Sequence, residues 1–324
     1  ADVPRAVLKG ENLGYKRMGL SALLVILCGG LMLGALHLGW GIIGLAGANV
    51  IATILTGALF VQVVRKHVAW FGLARPTWSV LRWFFGLSWW FIAWKFVMQA
   101  MMAGDLVVLG ICASVEHVAI YSLTKYVPEI LPVAVAMIVS AMAPGLGKIV
   151  GSGDRSRAAA IRGEVMTYTW LVLTVSGTTI LFWNESFVGL WVGQEYFAGA
   201  LPTLLIVLMV MQRALIRNDG NFIDLTLNVK AKTTIGLIAT VTSLSLAAVL
   251  VGYFDMGIVG LCMGLIVGRL PQSLAYPLQI ARFVDQPIWR HALAVSRPAI
   301  TTALLFGVAM YFGAYVGSHA SLSL

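Results

Sequence analysis

"AWKFVMQAMMAGDLVVLG", residues 93–110, reads as the interior of a lipid bilayer interrupted by two charges, Lys95 and Asp105. A charged side chain at the centre of a spanning helix costs about 2.5–3.5 kcal/mol on insertion scales, so each must face a polar partner or a wet cavity. Outward from this stretch the apolar character persists. No formally charged residue occurs in 18–64, 165–184, 196–212, 233–254 or 298–324. Each window reaches, or nearly reaches, the roughly 20 residues a spanning helix needs. With 60% hydrophobic and 11% charged residues and a mean hydropathy of +0.90, against about 25% charged in soluble domains, the chain reads as an all-α, polytopic membrane helix bundle.

The patterning predicts nine spans: 18–36, 41–64, 83–112, 118–147, 164–183, 199–217, 233–253, 257–281 and 297–316. Pro128 and Pro132 supply a cause for bending in the fourth. The net charge of +9 is not spread evenly. Arg5, Lys9, Lys16 and Arg17 precede the first span, and Arg65, Lys66, Arg75 and Arg82 fill the second connection. Lys148, Arg155, Arg157 and Arg162 fill the fourth, Arg213, Arg217, Lys230 and Lys232 the sixth, and Arg282, Arg290 and Arg297 the eighth. The intervening loops hold His37, Glu116, His117, Glu185, Glu195 and Asp255. Cytoplasmic loops carry the Lys/Arg excess, so the basic connections are expected inside a bacterial-type cytoplasmic (inner) membrane. This placement argues for lipid contact and against nucleic acid as a partner.

Enzyme signatures are missing from the sequence. Cys28, Cys112 and Cys262 have no metal or disulfide spacing. His37, His67, His117, His291 and His319 are scattered, with no metal-binding motif and no nucleophile elbow. "PGLGKIVGSGD", 144–154, fails as a phosphate loop because Ile149 follows Lys148 and no strand precedes it. No cofactor, metal or catalytic residue is expected. "NES", 184–186, matches a glycosylation acceptor only weakly.

Two segments echo each other. "NLGYKRMG", 12–19, aligns with "NVKAKTTI", 228–235, and "GIIGL", 41–45, with "GIVGL", 257–261, both at an offset of 216 residues. Asn12 then meets Asn228, Lys16 meets Lys232, Gly41 and Gly44 meet Gly257 and Gly260, and Lys66 meets Arg282. One gap-free offset joining loop and helix signals implies a parallel repeat of six spans per half. Helices three to six then lack partners ahead of helix one. Residue 1 is Ala rather than Met, and the chain reads as cut at its start. The expected organisation is a remnant of an N-terminal lobe at 1–64 with two membrane helices and a cytoplasmic amphipathic linker at 65–82. A complete six-helix C-terminal lobe follows at 83–281, with an additional membrane helix at 282–324. The linker's basic and aromatic residues suit anionic headgroups.

The order "GDLVVLG" (104–110), "AIYSLTKYVPEILPVAVAMIVSAMAPGLGKIVGSGDRSRA" (119–158), "LWVGQEY" (190–196) and "GIVGLCMG" (257–264) resembles the oligosaccharide and polysaccharide flippases of the multidrug/oligosaccharidyl-lipid/polysaccharide exporter superfamily. The resemblance spans nearly the whole chain and rests on order and spacing. It implies two pseudo-symmetric six-helix lobes facing a central cavity, through which lipid-linked sugars pass outward. Here the first lobe is only partly present and one additional C-terminal helix follows. The implied partners are a lipid-linked oligosaccharide, membrane lipids, and polysaccharide polymerase or export proteins.

Counting about 1.5 Å per residue places Lys95 about 18 Å from the inner end of helix three, and Asp105 near the outer surface. The same count places Lys125 about 10–12 Å and Glu129 about 16–18 Å deep, with Arg269 near the middle. Lys95, Lys125 and Arg269 are therefore expected to hold the anionic pyrophosphate that the resemblance implies, with Glu129 beside them. Pairing of Lys95 with Glu129 is the competing, structural account. Gln99, Gln212 and Gln272 are candidates for sugar hydroxyls, with helix packing as the alternative. Asp105 and Glu129 are the ion-coupling candidates, and local capping is the alternative for Asp105. The expected function is flipping of pyrophosphate-lipid oligosaccharide by alternating access, for polysaccharide biosynthesis and export. The alternatives are a multidrug/toxin extrusion antiporter of the same superfamily and a membrane-embedded glycosyl- or acyltransferase.

Overall fold

Hydrocarbon offers a backbone no hydrogen bonds, so an apolar chain that must cross it satisfies its N–H and C=O groups within helices. The computed structural model, which describes residues 2–11, 13–72 and 76–320, follows that rule: among the described residues there is no strand. Among the described residues eight helical segments are long and apolar enough to cross a membrane, and nine if two helices bent by 44° are taken as one span. The chain is an all-helical, multi-pass membrane protein. Asn12 and Arg75 lie outside the described residues, as do the side chains of Lys9, Lys16, Arg17, Arg290, His291 and His319.

The chain divides into two units, Ala1–Val80 and Leu81–Leu324. The first unit contains α1 (Asp2–Gly10), α2 (Gly14–His37) and α3 (Gly41–His67). The short α1 was not foreseen. Its Leu8 packs with Leu24, Phe60, Val64 and Val68, and the Arg5 guanidinium sits 4.9 Å from the centre of the Phe60 ring. Trp70 donates from Nε1 to Glu11 at 2.9 Å. On α3 the buried positions Gly44, Ala48, Ala52, Thr56, Phe60 and Val64 recur every four residues, while Ile42 and Ile43 are each 85% exposed. Such exposure suits a hydrocarbon surround rather than water.

The second unit runs through α4 (Trp78–Cys112, starting at its boundary), α5 (Val115–Lys125), α6 (Ile130–Gly151), α7 (Arg155–Trp191) and α8 (Ala200–Leu225). It continues with α9 (Val229–Gly252), α10 (Gly257–Gly268), α11 (Leu270–Phe283) and α12 (Ile288–Ala320). Helix α8 is its centre, touching α6, α7, α10 and α11. Gly260, Gly264 and Gly268 let α10 meet α9 backbone to backbone. A Cβ at Gly264 would lie 2.5 Å from Ala247 Cα, and one at Gly268 2.2 Å from Ser243 Cα.

The α2–α3 and α9–α10 turns share one conformation at the predicted offset. Gly39 and Gly41 have φ of +72° and +54°, and 216 residues later Asp255 and Gly257 have +51° and +50°. Gly44 N donates to Trp40 O and Gly260 N to Met256 O, both at 3.1 Å.

Several expectations need correction. The fourth span, expected continuous over 118–147, is two helices separated by residues 126–129, where Pro128 has no N–H to continue the ladder. The span expected over 257–281 does form, as Gly257–Phe283; only Arg269, just before Pro271, interrupts it, and Arg269 keeps helical φ and ψ. The fifth and sixth spans run well past 164–183 and 199–217, so Arg162 is a helical residue rather than a loop residue, and Arg213, counted with the sixth connection, lies more than two turns inside α8. Both are held in ion pairs, Arg162 with Asp219 and Arg213 with Glu129. The Lys95–Glu129 pair does not form: Lys95 is exposed on α4, and the carboxylate of Glu129 is taken by other cations.

Candidate functional site

The two breaks in the helices hold the charges. Lys125 is the last residue of α5 and Glu129 the last residue before α6. Arg269 is at once the end of α10 and the start of α11, with φ −92° and ψ −3°. The first break is a bend of 44° across residues 126–129, the second a single-residue interruption in helical conformation. Interrupted helices are tolerated at membrane depth where they are buried in protein or line a cavity, and they recur at binding sites in transporters. Thr124 steadies the first break. Its carbonyl accepts from Asn184 Nδ2 at 3.0 Å, and its hydroxyl accepts from Ala198 N at 3.0 Å.

Around these breaks five charged side chains from α4, α5, α8 and the two breaks converge, with the Tyr121 hydroxyl among them. Asp105 of α4 is 1% exposed; its Oδ2 accepts from Tyr121 Oη at 2.7 Å and from Lys125 Nζ. Tyr121 and Lys125 lie four residues apart on α5 and so reach the same carboxylate. Lys125 Nζ also contacts Glu129 Oε1 at 2.7 Å, and Arg213 Nη2 of α8 donates to Glu129 Oε2. Arg269, 1% exposed, donates from Nη2 to the carbonyl of Met101 at 3.1 Å. Its Nε and Nη1 have no hydrogen-bond partner among the described residues. Three cations, Lys125, Arg213 and Arg269, thus stand against two carboxylates, leaving one positive charge. Both carboxylates are already held by other cations.

A cavity of about 410 Å³ opens on this cluster, lined by Leu106, Ser122, Lys125, Tyr126, Glu129, Ile130 and Val133. Lys95, Gln99 and Met102 recur at helical spacing with Leu106, and all four are exposed or half-exposed on one face of α4. Lys95 and Gln99 therefore lie along the face that carries the cavity, with Lys95 about 16 Å from Leu106 along the axis.

A second cavity of about 460 Å³ lies among α7, α8, α11 and α12. Its walls are largely apolar, including Trp170, Leu208 and Phe306, with a polar strip from Gln212, Gln272 and Ser273. Gln212 donates to Ile266 O and Ser273 Oγ at 3.1 Å each, and Gln272 to Tyr276 Oη at 2.9 Å. Further pairs fix the helices: Lys232 with Asp224 at 2.7 Å, and Arg162 with Asp219 at 2.6 Å.

Of the residues singled out from sequence, Lys125, Glu129, Asp105 and Arg269 come together. Gln272 belongs to the second cavity, and Lys95 and Gln99 stay on the open face of α4. Arg213 and Tyr121 were missed. The signal for Arg213 was its position directly after Gln212 at the end of an apolar run; for Tyr121 it was the four-residue spacing to Lys125. No family model, curated protein or solved structure matches the chain.

Proposed function

We propose that this chain carries the anion-binding lobe of a transporter that flips pyrophosphate-lipid oligosaccharide across the cytoplasmic membrane by alternating access. The observation that carries the reading is Arg269: a buried guanidinium with two donor nitrogens unpartnered among the described residues, in a cluster with one surplus positive charge. A forked guanidinium is suited to the paired oxygens of a phosphate. The cavity at Lys125 and Glu129 gives a bulky polar head a place beside the cluster. The matched α2–α3 and α9–α10 turns support two related lobes, and rocking of one lobe against the other supplies alternating access.

The extrusion antiporter of the same superfamily is the second reading. It is favoured by Asp105, a buried carboxylate whose bonds to Tyr121 and Lys125 could be exchanged for a proton or cation. The test is export in cells that depend on the protein. Arg269→Gln is expected to abolish export at normal abundance, because it removes the charge and leaves a neutral hydrogen-bonding amide in its place. Full export by Arg269→Gln would contradict the reading.

A further inference from the structure

Glu129 is the open member of the charge cluster. Its side chain is 31% exposed, against 8% for Lys125 and 6% for Arg213. It stands in the helix break at the wall of the 410 Å³ cavity. One oxygen holds Lys125 Nζ at 2.7 Å and the other holds Arg213 Nη2. An anion arriving through the cavity meets this carboxylate together with the cations it covers. Carboxylate and phosphate oxygens are alternative acceptors for the same ammonium and guanidinium donors, so the two compete.

Charge decides the competition. With Glu129 in place the cluster carries one net positive charge. With its carboxylate turned away, Asp105 still neutralises Lys125, and Arg213 and Arg269 leave two. A phosphodiester of the surrounding phospholipid brings a single negative charge, no more than the carboxylate it must displace. Glu129 is tethered at the site, which gives it the advantage of an intramolecular ligand. A diphosphate joining a lipid to a sugar carries two negative charges and matches the net charge of two that remains when Glu129 turns away.

We infer, resting on the anion-binding reading above, that Glu129 is a selectivity residue. It holds Lys125 and Arg213 against the singly charged phosphodiesters of the bilayer and yields to a doubly charged diphosphate diester. Membrane phospholipid is in vast excess over any lipid-linked sugar, so a site for the latter needs an element that disfavours the former. A carboxylate shared between two of the three cations is such an element.

The experiment is a titration of the purified full-length protein in nonionic detergent with two soluble probes. Uridine diphosphate glucose is a diphosphate diester with two charges, and short-chain phosphatidylglycerol is a phosphodiester with one. Wild type is expected to bind the first at least about tenfold more tightly than the second. Glu129→Gln should reduce that ratio to about threefold or less by gaining affinity for the phosphodiester, while Glu129→Asp keeps most of it. Equal binding of the two probes by wild type overturns the selectivity role with no variant required. An unchanged ratio in folded Glu129→Gln also overturns it but leaves the anion site standing. If wild type binds neither probe, the anion-binding reading itself fails and the selectivity role falls with it.

Discussion

Replacing Arg269 with methionine separates a functional charge from a structural one. Arg269 is 1% exposed and makes one hydrogen bond, to Met101 O at 3.1 Å, while Nε and Nη1 find no partner among the described residues. Each unmet buried donor costs about 1–3 kcal/mol, and a bond from a charged donor returns about 1.5–3 kcal/mol. The carboxylates of Asp105 and Glu129 are already held by Lys125 and Arg213, so their attraction for a further cation is partly spent. Methionine fills most of the volume with a flexible apolar chain. Arg269→Met should therefore stabilise the protein by roughly 1–3 kcal/mol. At about 2–4 °C per kcal/mol, the melting temperature rises by roughly 2–12 °C. Thermal unfolding of the purified protein in detergent, followed by intrinsic tryptophan fluorescence, reads this directly. Export in cells should fall at the same time. A drop of several degrees would show that Arg269 holds the helices together, and a stabilised variant with normal export would show that transport does not use it.

Four further outcomes follow from the same contacts. Glu129→Ala, which leaves Arg213 without its carboxylate, should cost at least about 2 kcal/mol. Adding Lys95→Ala should not recover it, and a coupling above about 1 kcal/mol between the two sites in a double-mutant thermal cycle would show that they do pair. Gly268→Ala places a Cβ 2.2 Å from Ser243 Cα; it should destabilise the protein by about 1–3 kcal/mol through separation of α9 and α10, and unchanged melting would contradict that packing. Asp154 caps α7 by accepting from Arg157 N at 3.0 Å and from the Ser156 hydroxyl at 2.9 Å, bonds that hold its pKa below the ordinary 3.8. Its stabilisation is present above that value and lost as pH falls below it, so protection of the amides at the start of α7, relative to their intrinsic exchange rates, should fall at acid pH in wild type but not in Asp154→Asn. Finally, Ser156→Cys should resist an impermeant thiol reagent added to intact cells if the basic 148–163 connection is cytoplasmic; labelling from outside would reverse the topology.

The spans were legible because hydrocarbon leaves few options: an uncharged run of about 20 residues must be helical there. The turn after α2 was legible too, since glycines repeated at the same offset as loop and helix signals. The first helix break was half legible, with Pro128 suggesting a bend where the helix actually stops, whereas Pro271 was passed over although it marks the break at Arg269. The charge pairing was harder to read. Depth counted from assumed helix ends placed Asp105 near the surface and Lys125 well inside, yet their side chains meet. Counted from its nearer end at Cys112, Asp105 lies about 10 Å inside α4, the depth counted for Lys125, and counting from the far end at Trp83 hid this. Arg213 was hidden by the convention that a charge at the end of an apolar run begins a loop. Helix α8 continues to Leu225 because Asp219 and Asp224 find Arg162 and Lys232, so charged residues extend the helix instead of ending it.

The cation cluster of Lys125, Arg213 and Arg269 is proposed to move a diphosphate-linked lipid across the bilayer. The most direct test is flipping in reconstituted vesicles loaded with a fluorescent lipid-diphosphate oligosaccharide, read by the fraction accessible to a quencher outside. Wild type should move the lipid from the inner to the outer leaflet, and Arg213→Gln/Arg269→Gln, folded and reconstituted to the same density, should be reduced to the rate of protein-free vesicles. Flipping by the double variant at the wild-type rate would contradict the account.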